Sequence, residues 1–144
     1  MRDRITYIVS ILLFLILCAC AEVLPKIQNP FENNDGNFIL YVSNQSYEIK
    51  TVDILIVIDG TPILHEYFKV GNQHLWKQFV LQFPDGIHKI QAVTRKGNAT
   101  IEQSFEVKGK LWAVLDFCYR KREGHKCNKP ALTFEIFDKP IYFL

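Results

Sequence analysis

The sequence predicts an all-β fold, a sandwich of about eight antiparallel strands that follows an N-terminal signal segment. Two observations carry this prediction. Runs rich in β-branched and aromatic residues recur at roughly 8–12-residue spacing, and clusters of Gly, Pro, Asn and Asp separate them. Behind the signal segment, no run shows the periodicity of an amphipathic helix. A chain of 144 residues corresponds to one domain plus a targeting segment.

The composition is that of a folded protein with balanced charge. Hydrophobic residues make up 49% of the chain, and the formal net charge is +2. Such a chain is neither disordered nor strongly basic. Nucleic acid binding usually needs a concentrated basic face, so we expect no nucleic acid partner.

The first 20 residues have the organisation of an export signal. Two arginines precede an apolar run of roughly 15 residues, which is shorter than the 20 or so that a spanning helix needs. The run ends in Leu17-Cys18-Ala19-Cys20. This tetrapeptide resembles the lipobox of bacterial lipoproteins, in which Leu, a variable residue and a small residue precede Cys. In that family the cysteine receives a diacylglyceryl group and becomes the mature N-terminus, which implies lipidation of Cys20 and a membrane contact through the lipid anchor.

Two other processing routes fit the same block. Ala19-Cys20-Ala21 is also an Ala-x-Ala site, at which secretory cleavage would release a soluble protein beginning at Glu22. Alternatively, the block remains as an uncleaved membrane anchor. All three routes place the residues beyond Glu22 outside the cytoplasm. We therefore expect an extracytoplasmic protein, and the lipoprotein route anchors it to the cell membrane or the outer membrane.

The remainder divides into a linker and one domain. Residues 21–37 contain Pro25, Pro30 and a polar run without sustained periodicity, which predicts a linker. The domain is predicted to span residues 38–144.

The first half of this domain is predicted to contain a hairpin. Residues 52–58 form the most hydrophobic strand, which favours a central position in a sheet. Asp59-Gly60 is a strong two-residue turn signal, and residues 61–68 return as a strand. Pro62 cannot donate to a strand ladder, so we expect this return strand at an edge.

The middle of the domain is predicted to be a three-stranded meander over residues 79–105. Its runs alternate so that Phe79, Leu81 and Phe83 share one face, as do His88, Ile90 and Ala92, and Ala99, Ile101 and Phe105. The Pro84-Asp85-Gly86 and Lys96-Gly97-Asn98 segments are the turns.

One part of this region resembles a known fold family. Gly86, His88 and Ile90 stand where the F strand of immunoglobulin-like domains has a small residue, the corner tyrosine and a core cysteine. The resemblance covers about 30 residues and implies an Ig-like antiparallel sandwich. It also implies that the His88 ring is buried and bonds the backbone near residues 82–85. Neither Trp76 nor Trp112 falls on the strand that carries the core Trp of antibodies.

The C-terminal part is predicted to form a hairpin of residues 111–119 and 131–137, with an apolar end at residues 141–144 that packs on the domain. Cys118 and Cys127 flank the loop of this hairpin. If Cys20 is lipidated and Cys18 leaves with the signal, no other cysteine is left, and export favours oxidation. The sequence therefore predicts a Cys118–Cys127 disulfide, with two free thiols as the alternative.

The loop between these cysteines is basic. Its cations are candidates for contact with an anionic partner such as membrane headgroups or acidic glycans, and the alternative is a solvated hairpin tip. The candidate residues are Arg120, Lys121, Arg122 and Lys126, with His125 and Lys129 beside them. Asp116, inside the preceding apolar strand, is predicted to face solvent or to pair with this loop.

No catalytic or metal-binding motif can be identified. The chain has no Gly-x-Ser-x-Gly elbow and no paired carboxylates. Three possible ligands lie close together in the sequence, namely Cys118, His125 and Cys127, whereas structural zinc is usually coordinated by four. The histidines lie in no ligand spacing; they are His65, His74, His88 and His125. We therefore predict no catalytic residue, no metal and no cofactor.

These observations favour a non-catalytic binding or assembly module at the cell envelope. The expected partner is a protein or an envelope polymer that contacts loops or a sheet edge. The alternatives are a small secreted or envelope enzyme and a structural subunit of an envelope complex.

Overall fold

The computed structural model describes residues 35–70 and 75–143, which form eight strands in two four-stranded sheets with no helix. The predicted all-β sandwich of about eight strands is thus confirmed for these residues. The signal segment, Cys20, residues 21–34 of the predicted linker and His74 lie outside the described residues. In chain order the strands are β1 Phe38–Asn44, β2 Thr51–Ile58, β3 Thr61–Lys69, β4 Lys77–Leu81, β5 Gly86–Thr94, β6 Ala99–Val107, β7 Leu111–Cys118 and β8 Ala131–Phe137.

The two sheets have different pairing patterns. The first sheet has the order β4-β1-β7-β8, and the second has the order β3-β2-β5-β6. All neighbouring strands are antiparallel except β1 and β7, which pair in parallel with Phe38 opposite Leu111. The parallel pair brings the carboxyl ends of β1 and β7 to the same end of the molecule.

The core lies between the sheets and follows from period-two alternation. In β2, every second side chain is fully buried while its neighbours are partly exposed. β7, in the other sheet, alternates in the same way, and the buried residues of both strands belong to one core. Burying one such aliphatic side chain contributes about 1.5–3 kcal/mol relative to leaving it in water. The buried residues of these strands are Val52, Ile54, Ile56, Ile58, Leu111, Ala113, Leu115 and Phe117.

The predicted hairpin of β2 and β3 is confirmed. Asp59 and Gly60 both have positive φ, at 51° and 79°, as a two-residue turn between twisted strands requires. β2 lies between β3 and β5, and β3 with its Pro62 is at the sheet edge. The register shifts by one residue between Ile56 and Val57, so β3 contains a bulge next to Pro62.

The predicted meander is wrong, because β4 belongs to the first sheet while β5 and β6 pair in the second. The Asn37 side chain bonds both the backbone N–H and the carbonyl of Phe83, at 2.9 and 2.8 Å, and so holds the end of β4 near β1. Pro84 cannot extend a ladder, and Gly86 has a φ of 142° that favours glycine. The chain therefore crosses from one sheet to the other. The apolar faces predicted for these strands are nevertheless buried, because both sheets direct them into the same core.

The His88 ring is buried at this crossing, as the sequence predicts. Its exposed fraction is 7%, and its Nε2 lies 2.9 Å from the carbonyl oxygen of Pro84. The ring packs beside those of Phe83 and Phe105, with centroids 5.1 and 5.6 Å away. His88 therefore stabilises the crossing.

The C-terminal segment packs on the outer face of the first sheet. The Phe143 ring stacks on Trp76, with centroids 3.9 Å apart, and meets Tyr41 edge to face at 5.0 Å. The predicted packing is confirmed for Phe143, whereas Tyr142 is 83% exposed. Leu144 lies outside the described residues.

Candidate binding surface

The predicted Cys118–Cys127 disulfide is present at the start of the β7–β8 loop. The two Cα atoms lie 5.8 Å apart, which is a common separation for a disulfide. The hairpin prediction is confirmed as well, since Cys118 pairs with Ala131 at the end of the β7–β8 ladder. The Arg120 N–H donates to the Cys127 carbonyl at 2.8 Å and closes the loop a second time.

The loop has internal backbone order. The Arg122 N–H donates to Arg120 O at 2.7 Å, and the His125 N–H donates to Arg122 O at 3.2 Å. Gly124 has a φ of 75°, which a side chain would strain. The Cys127 N–H donates to Nδ1 of His125 at 3.1 Å, so this ring nitrogen is already engaged. The loop therefore has a defined shape.

The loop is held against residues 45–50, the connection between β1 and β2. The Tyr47 N–H donates to Tyr119 O at 2.9 Å, and the Lys121 N–H donates to the Glu48 carboxylate at 2.9 Å. The Arg120 guanidinium lies 4.5 Å from the centroid of the Tyr47 ring, within cation–π range. These contacts hold the loop against the β1–β2 connection and are independent of the disulfide.

The cations predicted to contact an anionic partner point toward solvent. Lys121, Arg122 and Lys126 are exposed, and Arg120 is partly buried against Tyr47. Within residues 35–70 and 75–143, none of these four side chains forms an ion pair with a carboxylate. Their charge is therefore available to a ligand.

A second feature, which the sequence did not reveal, lies on the outer face of the second sheet. It is a shallow cleft of about 350 Å³. The β3 bulge places His65 opposite Leu55 and Tyr67 opposite Asp53, so these side chains share the outer face. The lining residues are Asp53, Leu55, His65, Tyr67, Val93 and Arg95.

Asp53 anchors the β5–β6 turn beside this cleft. It accepts hydrogen bonds from the Lys96 N–H at 2.7 Å and from the Thr94 hydroxyl at 3.2 Å. Burial alone would raise the pKa of Asp53, but the bonds from the Lys96 backbone and from Thr94 outweigh it and the pKa is lowered. The Lys96 ammonium lies 4.7 Å from the centroid of the Tyr67 ring.

Asp116, predicted to face solvent or to pair with the basic loop, lies on the partly exposed outer face of the first sheet and bonds Ser43 and Trp76. Its Oδ1 accepts from the Ser43 hydroxyl and from Trp76 Nε1, the latter at 3.0 Å. Burial raises the pKa of Asp116, and the nearby Glu135 adds to this, while the bonds from Ser43 and Trp76 and the charge of Lys126 oppose it.

The histidines that the sequence offered as metal ligands are dispersed. His65 lines the cleft, His88 lies at the crossing between sheets, and His125 belongs to the basic loop. In the part of the chain that the structure describes, no group of three or more His, Cys, Asp or Glu side chains is placed to hold a metal ion. No helix there is long and apolar enough to cross a membrane.

Comparisons with protein-family models, with curated proteins and with solved structures give no match for this chain. The proposals below therefore depend on the geometry of its own residues.

Proposed function

We propose that this protein is a cell-envelope lipoprotein whose β-sandwich is a non-catalytic binding module, and that the basic loop contacts an anionic partner. The observation that carries the proposal is the disulfide-clamped loop, which holds Lys121, Arg122 and Lys126 in solvent without a salt bridge to a carboxylate among the described residues. A preformed cationic surface loses less conformational entropy on binding than a mobile one. It also attracts anionic ligands over a distance.

We further propose that the sandwich is Ig-like. Two features support this topology. The second sheet joins two hairpins, β2–β3 and β5–β6, through the β2–β5 pair. The buried His88 bonds the Pro84 carbonyl where an Ig-like domain has its corner tyrosine. The parallel β1–β7 pair and the final β8 strand are additions to the seven-strand plan.

The proposal of a lipid anchor is based on the Leu17-Cys18-Ala19-Cys20 motif. Mass spectrometry of the mature protein purified from membranes is expected to show a diacylglyceryl-modified Cys20 at the N-terminus. A mature chain that begins with an unmodified Glu22 would instead show plain secretion.

The anionic contact is tested by chromatography on a sulfonated matrix. The double variant Arg122→Gln/Lys126→Gln is expected to elute at clearly lower salt than the wild type, because exposed charges act through a salt-sensitive attraction. The matched control is Lys89→Gln/Lys108→Gln, which removes the same charge elsewhere. Equal elution of the two double variants would show a net-charge effect and would contradict a contact through the loop.

A further inference from the structure

We propose that the anion-binding surface extends beyond the loop to the β5–β6 turn and the cleft on the second sheet, and that its ligand is a linear acidic polysaccharide. This inference rests on the proposed function above and names its ligand class.

Four connections meet at one end of the sandwich, here called the basic end: residues 45–50, residues 69–70 at the end of β3, residues 95–98 and residues 119–130. The Val70 N–H donates to Lys50 O at 2.9 Å. Gly97 packs so closely on Phe117 that a Cβ there would lie 2.5 Å from the ring. The β5–β6 turn of the second sheet is thus joined to the strand that leads into the basic loop.

Positive charge is concentrated at this end. Of the 14 lysines and arginines in residues 35–70 and 75–143, nine lie there, namely Lys50, Lys69, Arg95, Lys96, Arg120, Lys121, Arg122, Lys126 and Lys129. Two acidic residues lie in the same segments: Glu48 accepts a hydrogen bond from the Lys121 N–H, and Glu123 is exposed. Asp53, near the start of β2, accepts one from the Lys96 N–H. The opposite end is mixed, with Asp35, Asp59, Asp85, Glu106, Asp138, Lys108, Lys110 and Lys139. Although the net charge is only +2, the positive charge is unevenly distributed between the two ends of the sandwich. This distribution favours binding of an anionic ligand at the basic end.

Aromatic rings accompany the cations, and this points to sugar rings. Tyr47 and Tyr67 are 74% and 65% exposed, and each has a cation over its ring, Arg120 and Lys96 respectively. Tyr67 forms a wall of the cleft. A sugar ring can pack its apolar face on an aromatic ring. Its acidic substituents can bond neighbouring cations.

The cleft has the composition of a small-ligand site. Leu55 and Val93 supply its apolar surface, Arg95 and His65 supply polar groups, and the Asp53 carboxylate is held by bonds from the Lys96 N–H and the Thr94 hydroxyl. Arg95 offers a forked donor that matches a carboxylate. Arg95 is therefore the group of the cleft that can bond the carboxylate of an acidic sugar unit, and the loop adds cations for the units that follow.

The geometry favours a polymer over the anchoring membrane. The described domain begins at the start of β1, and the basic end lies past the other end of this seven-residue strand, roughly 20 Å away. The cleft opens on the outer face of the second sheet, whereas the basic loop extends from the first. A flat bilayer would contact either the cleft or the basic loop, whereas a flexible polymer can contact both at once.

The test measures binding of the full chain in neutral detergent to a fluorescent oligogalacturonate, which carries carboxylates on pyranose rings. Polyglutamate of equal charge lacks the rings, and phosphatidylglycerol vesicles supply the lipid alternative. We expect oligogalacturonate to bind more tightly than polyglutamate or the vesicles. In Tyr67→Ala/Arg95→Gln its affinity is expected to fall about fivefold to tenfold. Tyr67→Phe keeps the ring and is expected to bind as the wild type does.

The outcomes separate the two proposals. If Arg122→Gln/Lys126→Gln weakens binding while Tyr67→Ala/Arg95→Gln does not, the extended site is wrong and the loop contact stands. Equal affinity for polyglutamate, or tighter binding to the vesicles, overturns the polysaccharide as ligand. Loss of affinity in Tyr67→Phe as large as in Tyr67→Ala/Arg95→Gln also contradicts stacking. Circular dichroism of each variant confirms that it is folded.

Discussion

The imidazole Nδ1 of His88 lies 2.6 Å from Oδ2 of Asp59, so one buried ring ties the β2–β3 turn to the crossing between the sheets. The other Asp59 oxygen accepts from the Lys89 N–H at 2.9 Å, and the Asp59 N–H donates to Lys89 O at 3.0 Å. With Nε2 of His88 at the Pro84 carbonyl, both ring nitrogens face acceptor oxygens. The turn, β5 and the crossing are thus held as one unit.

Replacing His88 with Ala is expected to lower the free energy of unfolding by about 1–3 kcal/mol, because the variant loses both bonds and the packing on Phe83 and Phe105. Urea denaturation measures this change. His65→Ala, on the exposed outer face, is the matched control and is expected to stay within about 0.5 kcal/mol of the wild type. A His88→Ala variant as stable as His65→Ala would show that the ring does not support the crossing.

Local sequence patterns predict the strands but not how they assemble. The apolar β2 strand and the Asp59-Gly60 turn are predicted from residues close together in the chain, and both predictions hold. The sheet to which β4 belongs depends on its pairing with β1, about 40 residues earlier, and alternation is the same in either sheet. The meander prediction failed for this reason.

The candidate site divides in the same way. Cys118 and Cys127 lie close together in the chain, so spacing alone predicts the bridge and the basic loop. The cleft combines Asp53 of β2, Tyr67 of β3 and Arg95 of the β5–β6 turn. Which β3 side chains lie on the outer face beside Asp53 depends on one extra residue in β3. With a regular register from the Asp59-Gly60 turn, Asp53 would lie opposite Glu66 instead of Tyr67. Nothing in the run of residues 61–68 marks that bulge except Pro62.

The pH dependence of stability is expected to report on Asp116. Burial raises its pKa in the folded state above the ordinary value of 3.8. The folded state therefore binds this proton more tightly, and the resulting stability is fully present below the ordinary pKa and lost as pH rises through the folded pKa.

Asp116→Asn removes the buried charge while keeping an acceptor for the Trp76 N–H. The variant is expected to gain stability relative to the wild type as pH rises from about 4 to 7. Urea denaturation across this range measures the difference. A difference that stays constant with pH would contradict a raised pKa for Asp116.

Phe143 is expected to hold the C-terminal segment on the first sheet. Phe143→Ala removes the stacking on Trp76 and the edge contact with Tyr41, at an expected cost of about 1 kcal/mol. Tryptophan fluorescence is expected to shift to longer wavelength as Trp76 meets water. Tyr142→Ala, at an 83% exposed position, is the control and is expected to leave both stability and fluorescence unchanged. Similar effects in the two variants would place the anchoring contact elsewhere.

The Cys118–Cys127 bridge is expected to stabilise both the domain and its basic loop. Its sequence separation of 9 corresponds to about 2.5–3 kcal/mol in the chain-entropy model. Cys118→Ser/Cys127→Ser is therefore expected to unfold at lower urea concentration and to bind a sulfonated matrix more weakly, because its cations no longer share one fixed geometry. Reductant provides the internal control. It is expected to bring the wild type to the level of the double variant and to leave that variant unchanged. A double variant that keeps full matrix affinity while losing stability would show that the bridge supports the fold without shaping the basic surface.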